Sequence, residues 1–402
     1  MHARQLPSQP NLEQYRKQAK DLVKARRSAD KDALRRIQRY HPRFRTLPEA
    51  EFPGCAFALT DAQLVIAREH GFESWPKFVK HIEALAQSGS SISKFEFAAD
   101  AVIEGNTETL QRLLRDDPKL IQERSTREHR ATLLHYVSAN GVEDYRQKCP
   151  GNALEIAKIL LKAGAEVNAP ANAYGKSTAL DLVATSIHPA RAGVQIDLLQ
   201  TLIAAGASVD GAPGGWNPLN AALANGRPEA AEFLAHNGAR IDLEGAAGLG
   251  RLDLVKTFFN QDGSLKSNAA KAQLESGFMW ACEYGRVNVV EFLLNSGFAV
   301  DMQASGITGL HWAVIGGHLD TIKFLLRRGA PLEVKNHYGG TVLGQATWAV
   351  THSDPVCRWP KFDPDWAQII QLLIDSGARI EEADFPTGNG SVDAVLRRHG
   401  AR

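Results

Sequence analysis

A short apolar helix closed by glycine recurs six times along the chain, and nothing else constrains the fold as strongly. The copies are KILLKAGAEVN (158–168), TLIAAGASVDG (201–211), EFLAHNGARID (232–242), EFLLNSGFAVD (291–301), KFLLRRGAPLE (323–333) and QLLIDSGARIE (371–381). Their glycines, Gly164, Gly206, Gly238, Gly297, Gly329 and Gly377, lie 42, 32, 59, 32 and 48 residues apart. That spacing fits a unit near 32 or 33 residues with insertions and one doubled gap. A period of this length marks a stacked repeat architecture. Each glycine falls where a helix needs a left-handed residue to end.

Ahead of each copy lies a second short helix with its own opening: TLLH (132–135), TALD (178–181), NPLN (217–220), SGFM (276–279), TGLH (308–311) and TVLG (341–344). The leading Thr, Asn or Ser is suited to cap a helix. Neither helix can bury its apolar face alone, so neighbouring units must stack to form a core. These residues resemble the ankyrin repeat, a β-turn plus two antiparallel helices with a Thr-Pro-Leu-His start. The fullest copy is TGLHWAVIGGHLDTIKFLLRRGAPLEVKNHYG (308–339). Two degenerate copies, FAADAVIEGNTETLQRLL (97–114) and GAAGLGRLDLVKTFF (245–259), extend the array, the second filling the doubled gap.

The resemblance implies an all-α fold, an ankyrin-repeat solenoid of about eight helix-turn-helix units. Residues 94–390 form the repeats and SVDAVLRRHGAR (391–402) a capping helix, preceded by a linker, QSGSSIS (87–93), and a small helical module, 1–86. In that module Leu12, Tyr15, Ala19, Leu22 and Val23 share one helix side, and Asp30, Thr60 and Ser74 are expected caps. LEQYRKQAKDL and LTDAQLVIAREHGFESWPKF, ahead of repeats, resemble a leader on bacterial ankyrin-repeat proteins; it brings no activity with it.

The 46 basic and 45 acidic residues conceal an asymmetry: residues 1–86 carry 16 Lys/Arg against 10 Asp/Glu, leaving the rest net acidic. Nucleic-acid contact would therefore belong to the leader, where only Tyr15, Tyr40 and Phe44 interleave the basic stretch 11–45. The opening lacks a signal peptide's apolar core, and no stretch reaches the length of a membrane span. A soluble, cytoplasmic protein is expected. Cys55, Cys149, Cys282 and Cys357 are scattered, without metal-ligand spacing, and read as reduced thiols.

Catalytic motifs fail on inspection. Pro170 stands where a phosphate-binding loop ending in Gly175-Lys176-Ser177 needs its first glycine. Ser91-Ile92-Ser93-Lys94 lies in the linker without its partner motifs. His135 and His311 match a histidine that is structural in the resembled family. No cofactor or metal is implied.

In an ankyrin stack the residue after the opening tetrapeptide, and those three and four further on, point into the concave groove. Here they include Tyr136, Trp280, Glu283, Tyr284, Trp312 and Trp348. So many aromatics exceed what a monomer exposes without reason. Three units also carry extra residues between their helices, at 142–152, 187–194 and 351–366, on one edge of the stack. They bring Tyr145, Arg146, His188, Arg191, Asp354, Arg358, Trp359 and Trp366. The expected function is recognition of a protein or peptide in the aromatic groove, with Glu283 answering a basic group. A second reading is a small-molecule binder or enzyme whose loops close a pocket, with Asp181, His188, Glu283 and Asp354 as acid/base candidates. The third is nucleic-acid contact through the basic leader; no membrane contact is expected.

Overall fold

The computed structural model describes residues 3–87, 89–304 and 306–402. Its contacts divide the chain into two units, Met1–Trp216 and Asn217–Arg402.

The first unit begins with the leader. The helix Leu12–Arg27 buries Tyr15, Ala19 and Leu22, which meet Ala33 and Ile37 of Lys31–Tyr40, Val65 and Ile66 of Leu59–Glu69, and Phe78 of Trp75–Leu85. Tyr15 and Phe78 pack edge to face at 4.9 Å. Asp30 caps its helix by accepting the Ala33 N–H at 2.8 Å. Thr60 is not a cap: its helix starts at Leu59, and the Asp61 carboxylate accepts the Ala58 N–H from inside the first turn. Ser74 stands at its helix's N-cap without a side-chain bond, and Pro76 fits the first turn. The leader joins the repeats within this unit, where Gly71 O accepts the Glu128 N–H at 2.9 Å and His81 Nδ1 lies 2.7 Å from Thr126 Oγ1.

Of the expected linker, Ser88 lies outside the described residues. Ser90 Oγ accepts the Ser93 N–H and starts the helix Ser91–Glu104, so 91–93 are helical. That helix pairs with Thr107–Asp116 across Gly105. Leu133–Tyr136 pairs with Ala153–Lys162, and Ala179–Thr185 with Gln195–Ala204.

The second unit holds five more pairs: Pro218–Ala224 with Pro228–His236, Leu243–Leu249 with Leu252–Thr257, Lys271–Glu283 with Val287–Asn295, Gly309–Gly316 with Leu319–Arg327, and Val342–His352 with Trp366–Asp375. Gly390–Arg398 closes it, burying Val392, Val395 and Leu396 in the same core as Ile369, Ile370 and Leu373. Most first helices are too short to persist alone, so stacking must hold them. The only strands among the described residues, Gln303–Ala304 and Ile307–Thr308, pair antiparallel between two repeats.

Four of the six opening tetrapeptides begin with a capping side chain. Thr178, Asn217, Thr308 and Thr341 each accept a backbone N–H from the first turn. His135 Nδ1 accepts the Thr132 N–H at 3.1 Å and lies 2.8 Å from its hydroxyl; His311 lies 2.8 Å from the Thr308 hydroxyl. Both rings are buried, and burial holds His135 neutral, down to about 4. These histidines tie turns together. The other two do not cap: Thr132 stands at its helix's N-cap without a side-chain bond to a first-turn N–H, and Ser276 sits inside a helix that starts at Lys271.

Candidate functional site

In the second unit the first helices Lys271–Glu283, Gly309–Gly316 and Val342–His352 pack side by side. The approach of the first two is close. A Cβ on Gly316 would overlap Glu283 O, and one on Gly309 would lie 2.7 Å from the Phe278 ring. Only glycine permits that spacing, which sets the register of the aromatic residues.

Trp280 and Trp312 occupy matching positions on neighbouring helices and both are partly exposed. A Cβ on Gly248 would lie 3.2 Å from Trp280 Cβ, so Trp280 packs on the preceding repeat. Trp312 leans on the core, and its buried indole Nε1 has no hydrogen-bond partner. Trp348 is 50% exposed, with its ring stacked on His352 at 4.6 Å and 3°.

Tyr136 and Tyr284, expected in the groove, are buried instead. The Tyr284 hydroxyl donates to Leu223 O, a carbonyl in the last turn of Pro218–Ala224 that also accepts the Gly226 N–H at 3.0 Å. Tyr136 is covered by the 142–152 insertion, whose Glu143 accepts from its hydroxyl at 3.5 Å and whose Arg146 guanidinium lies 5.8 Å from its ring.

That insertion is therefore no free loop. Arg146 is buried and pairs with Glu96 at 2.8 Å, Asp100 at 2.7 Å and Glu143 at 3.2 Å, while Arg127 pairs with Glu96 at 2.7 Å and Glu143 at 2.8 Å. The two guanidinium groups outweigh burial and hold Glu96 down to about 2. Glu96 and Arg127 belong to no repeat motif, so the pattern gives no hint of them. The 187–194 insertion is likewise ordered, as the short helix Ile187–Arg191.

The 351–366 insertion returns along the inter-helix turns of its own unit. Cys357 Sγ accepts from Arg227 Nη2 at 3.5 Å and lies 3.1 Å from where a Gly226 Cβ would be. Lys361 faces Glu229 at 3.8 Å, Phe362 packs on the His318 ring at 4.9 Å, and Pro364 sits against Gly317. Arg358 is buried and donates to Ser353 Oγ at 2.7 Å; Trp359 beside it is partly exposed. The insertion is a strap over these turns.

Glu283 stands next to this strap. Burial pushes its carboxyl up to about 8, against the opposing pull of Arg227. That shift favours the neutral acid and so runs against its expected role as a counter-charge for a basic group. Of the other acid/base candidates, Asp181 accepts the Thr178 N–H at 2.7 Å within a capping box and is pushed up to about 6 by burial. Asp354 caps the turn Pro355–Cys357 by accepting the Val356 N–H at 3.0 Å. His188 is partly buried on its short helix and lowered by burial and by Arg191. None of the four lines the cavity of about 740 Å³ between residues 5–10 and Phe97, Asp100 and Tyr145. Among the described residues no group of three or more His, Cys, Asp or Glu could hold a metal ion.

Part of the basic leader is occupied with itself. Arg36 pairs with Glu69 at 2.6 Å, Arg43 donates to Ala56 O at 2.6 Å, Arg26 donates to Phe52 O, and Arg16 and Arg35 pair with Glu13 and Asp32. Among the described residues no helix is long and apolar enough to cross a membrane.

Comparison with known proteins bears on the repeats. A family model described as "Ankyrin repeats (3 copies)" matches residues 243–336, and one described as "Ankyrin repeats (many copies)" matches residues 187–235. No curated protein matches the chain. Among solved structures, the human ASB11 ankyrin repeat domain is similar at 21% identity, covering 71% of this chain and 99% of that one with a TM-score of 0.35.

Proposed function

Because this chain is an ankyrin-repeat protein, and such repeats are generally protein–protein interaction modules, we propose that it captures a protein or peptide segment on the first-helix face of its second unit. Trp280, Trp312 and Trp348 are the anchors. The single observation that carries this reading is the indole of Trp348, half exposed and stacked flat on His352. Its neighbours Trp280 and Trp312 extend the aromatic surface over three adjacent helices. Aromatic side chains of this kind dominate binding energy where a partner desolvates them. Tyr136 and Tyr284 take no part, being committed to the interior.

Affinity capture from a lysate, followed by validation of one partner, tests the reading. Trp348→Ala and Trp312→Ala each weaken that partner by about 2 kcal/mol or more, with unchanged thermal stability for Trp348→Ala. Undiminished binding by both variants overturns it.

A further inference from the structure

The helix Ser91–Glu104 opens the repeat array, so no earlier repeat covers its outward side. Ser93, Glu96, Phe97 and Asp100 follow one another at the three- and four-residue spacing of a single helix face. That face borders the cavity of about 740 Å³, whose other walls are the arm 5–10, the end of the leader at Leu85 and Ala86, and Tyr145 and Arg146 of the 142–152 insertion. All of these belong to the first unit. The arm is fastened at both ends. Ala3 N–H donates to Asp144 Oδ1 at 3.1 Å, Arg4 N–H donates to Glu69 O at 2.6 Å, and Arg4 O lies 2.8 Å from His70 Nδ1. At its far end Asn11 Oδ1 accepts the Glu13 N–H at 2.9 Å and starts the helix Leu12–Arg27.

The lining is of two kinds. Leu6, Pro7 and Leu85 are apolar, and Phe97 is 64% exposed, so its ring has little packing duty in the fold. Among the charged residues of the lining Glu96 and Asp100 are acidic and Arg146 alone is basic. Arg127, behind them, is matched by Glu143 at 2.8 Å. The surplus negative charge falls on Asp100, whose side chain is 45% exposed. Arg146 Nε and Nη2 both reach its Oδ1, at 2.9 and 2.7 Å, and among the described residues its Oδ2 takes no hydrogen bond. Partial burial raises the Asp100 carboxyl despite Arg146, as suits a carboxylate short of counter-charge.

We propose that this cavity is a second binding site, for a small organic cation: an amine or guanidine carried on an apolar body. The cation donates to Asp100 Oδ2 and offsets the surplus charge, and the body lies against Phe97, one turn away on the same helix face. The cavity's 740 Å³ falls within the roughly 300–1,000 Å³ usual for small-molecule sites. The site stands apart from the aromatic face of the second unit and does not depend on the partner reading above.

The test uses the full chain near neutral pH and three probes on one frame: 2-phenylethylamine, which is cationic there, the neutral 2-phenylethanol and the anionic 3-phenylpropionate. Calorimetry gives affinity, and nuclear Overhauser contacts from the probe to the Phe97 ring, assigned by their loss in Phe97→Ala, give the location. The amine is expected to bind saturably and about tenfold or more tightly than the alcohol, as a charge-assisted bond requires, with the propionate weakest. Asp100→Asn brings the amine to the level of the alcohol, whereas Phe97→Ala, at an exposed position, weakens both. Equal binding of amine and alcohol by the wild type, tighter binding of the propionate, or no saturable binding of the amine overturns the inference without needing any variant to fold. An amine response that Phe97→Ala leaves unchanged, or that Trp348→Ala abolishes, puts the probe elsewhere and overturns it as well.

Discussion

Cys357 Sγ accepts a hydrogen bond from Arg227 Nη2 across 130 residues of sequence. In a repeat array most side chains meet only the next unit. This contact instead brings an insertion of the last pair, Val342–His352 and Trp366–Asp375, to the turn ahead of Pro228–His236. Phe362 and Pro364 meet intervening turns at His318 and Gly317. Extra residues between two helices thus serve as an internal brace over the inter-helix turns of the second unit.

Arg146 tests whether the 142–152 insertion is structural. Removing one member of a buried ion-pair network leaves the others uncompensated, at about 3–5 kcal/mol. Arg146→Ala is therefore expected to lower unfolding free energy by that amount in urea titrations, because Glu96 and Glu143 are both buried against it. A change within about 0.5 kcal/mol, the usual effect of a surface substitution, would refute the structural role.

Gly316 tests the register of the aromatic face. A Cβ at this position would overlap the carbonyl oxygen of Glu283, and a backbone atom cannot swing aside as a side chain does. Gly316→Ala is expected to cost about 1–3 kcal/mol by overpacking. Gly390→Ala is the control, since nothing lies within 4 Å of a Cβ there. Equal melting temperatures for the two variants would show that the helices do not approach as described.

Glu283 gives a pH dependence of definite sign. Its folded value of about 8 stands above the ordinary 4.5. Below about pH 4.5 both folded and unfolded chains hold the proton, and the stability of the fold with a neutral Glu283 is fully present. Between there and about pH 8 the unfolded chain has released the proton while the folded chain keeps it, so stability falls as pH rises. Glu283→Gln cannot titrate. Its melting temperature relative to wild type should rise steadily across this window and level off above it. A difference independent of pH would mean that Glu283 ionises normally in the fold.

The repeats were legible because their signals are local. Thr178, Asn217, Thr308 and Thr341 cap the helices they precede, and the two degenerate copies do form helix pairs. Ser276 misled because its helix begins upstream at Lys271, so a cap-like residue ended up in the helix interior. Tyr136 and Tyr284 misled for a deeper reason. The period specifies which way a side chain points, whereas its burial depends on what arrives later: Glu143 and Arg146 from an insertion, and a Leu223 carbonyl that takes the Tyr284 hydroxyl as a further donor. Glu96 and Arg146, 50 residues apart, meet through tertiary packing that no repeat position encodes. The placement of the strap on Arg227 was equally hidden, since an insertion's length says nothing of the direction it takes.

Stacked repeats ordinarily fray, because an end unit can melt while its neighbours persist. The strap alters that for the second unit. Loss of the pair around Val342–His352 also strips Cys357 from Arg227 and Phe362 from His318, so damage at the distal end is felt many turns away. The closed loop raises contact order, which slows assembly but makes separation more nearly all-or-none. A surface held by such a closure keeps its shape as a body, so a partner meets a ready-made face and need not order it first.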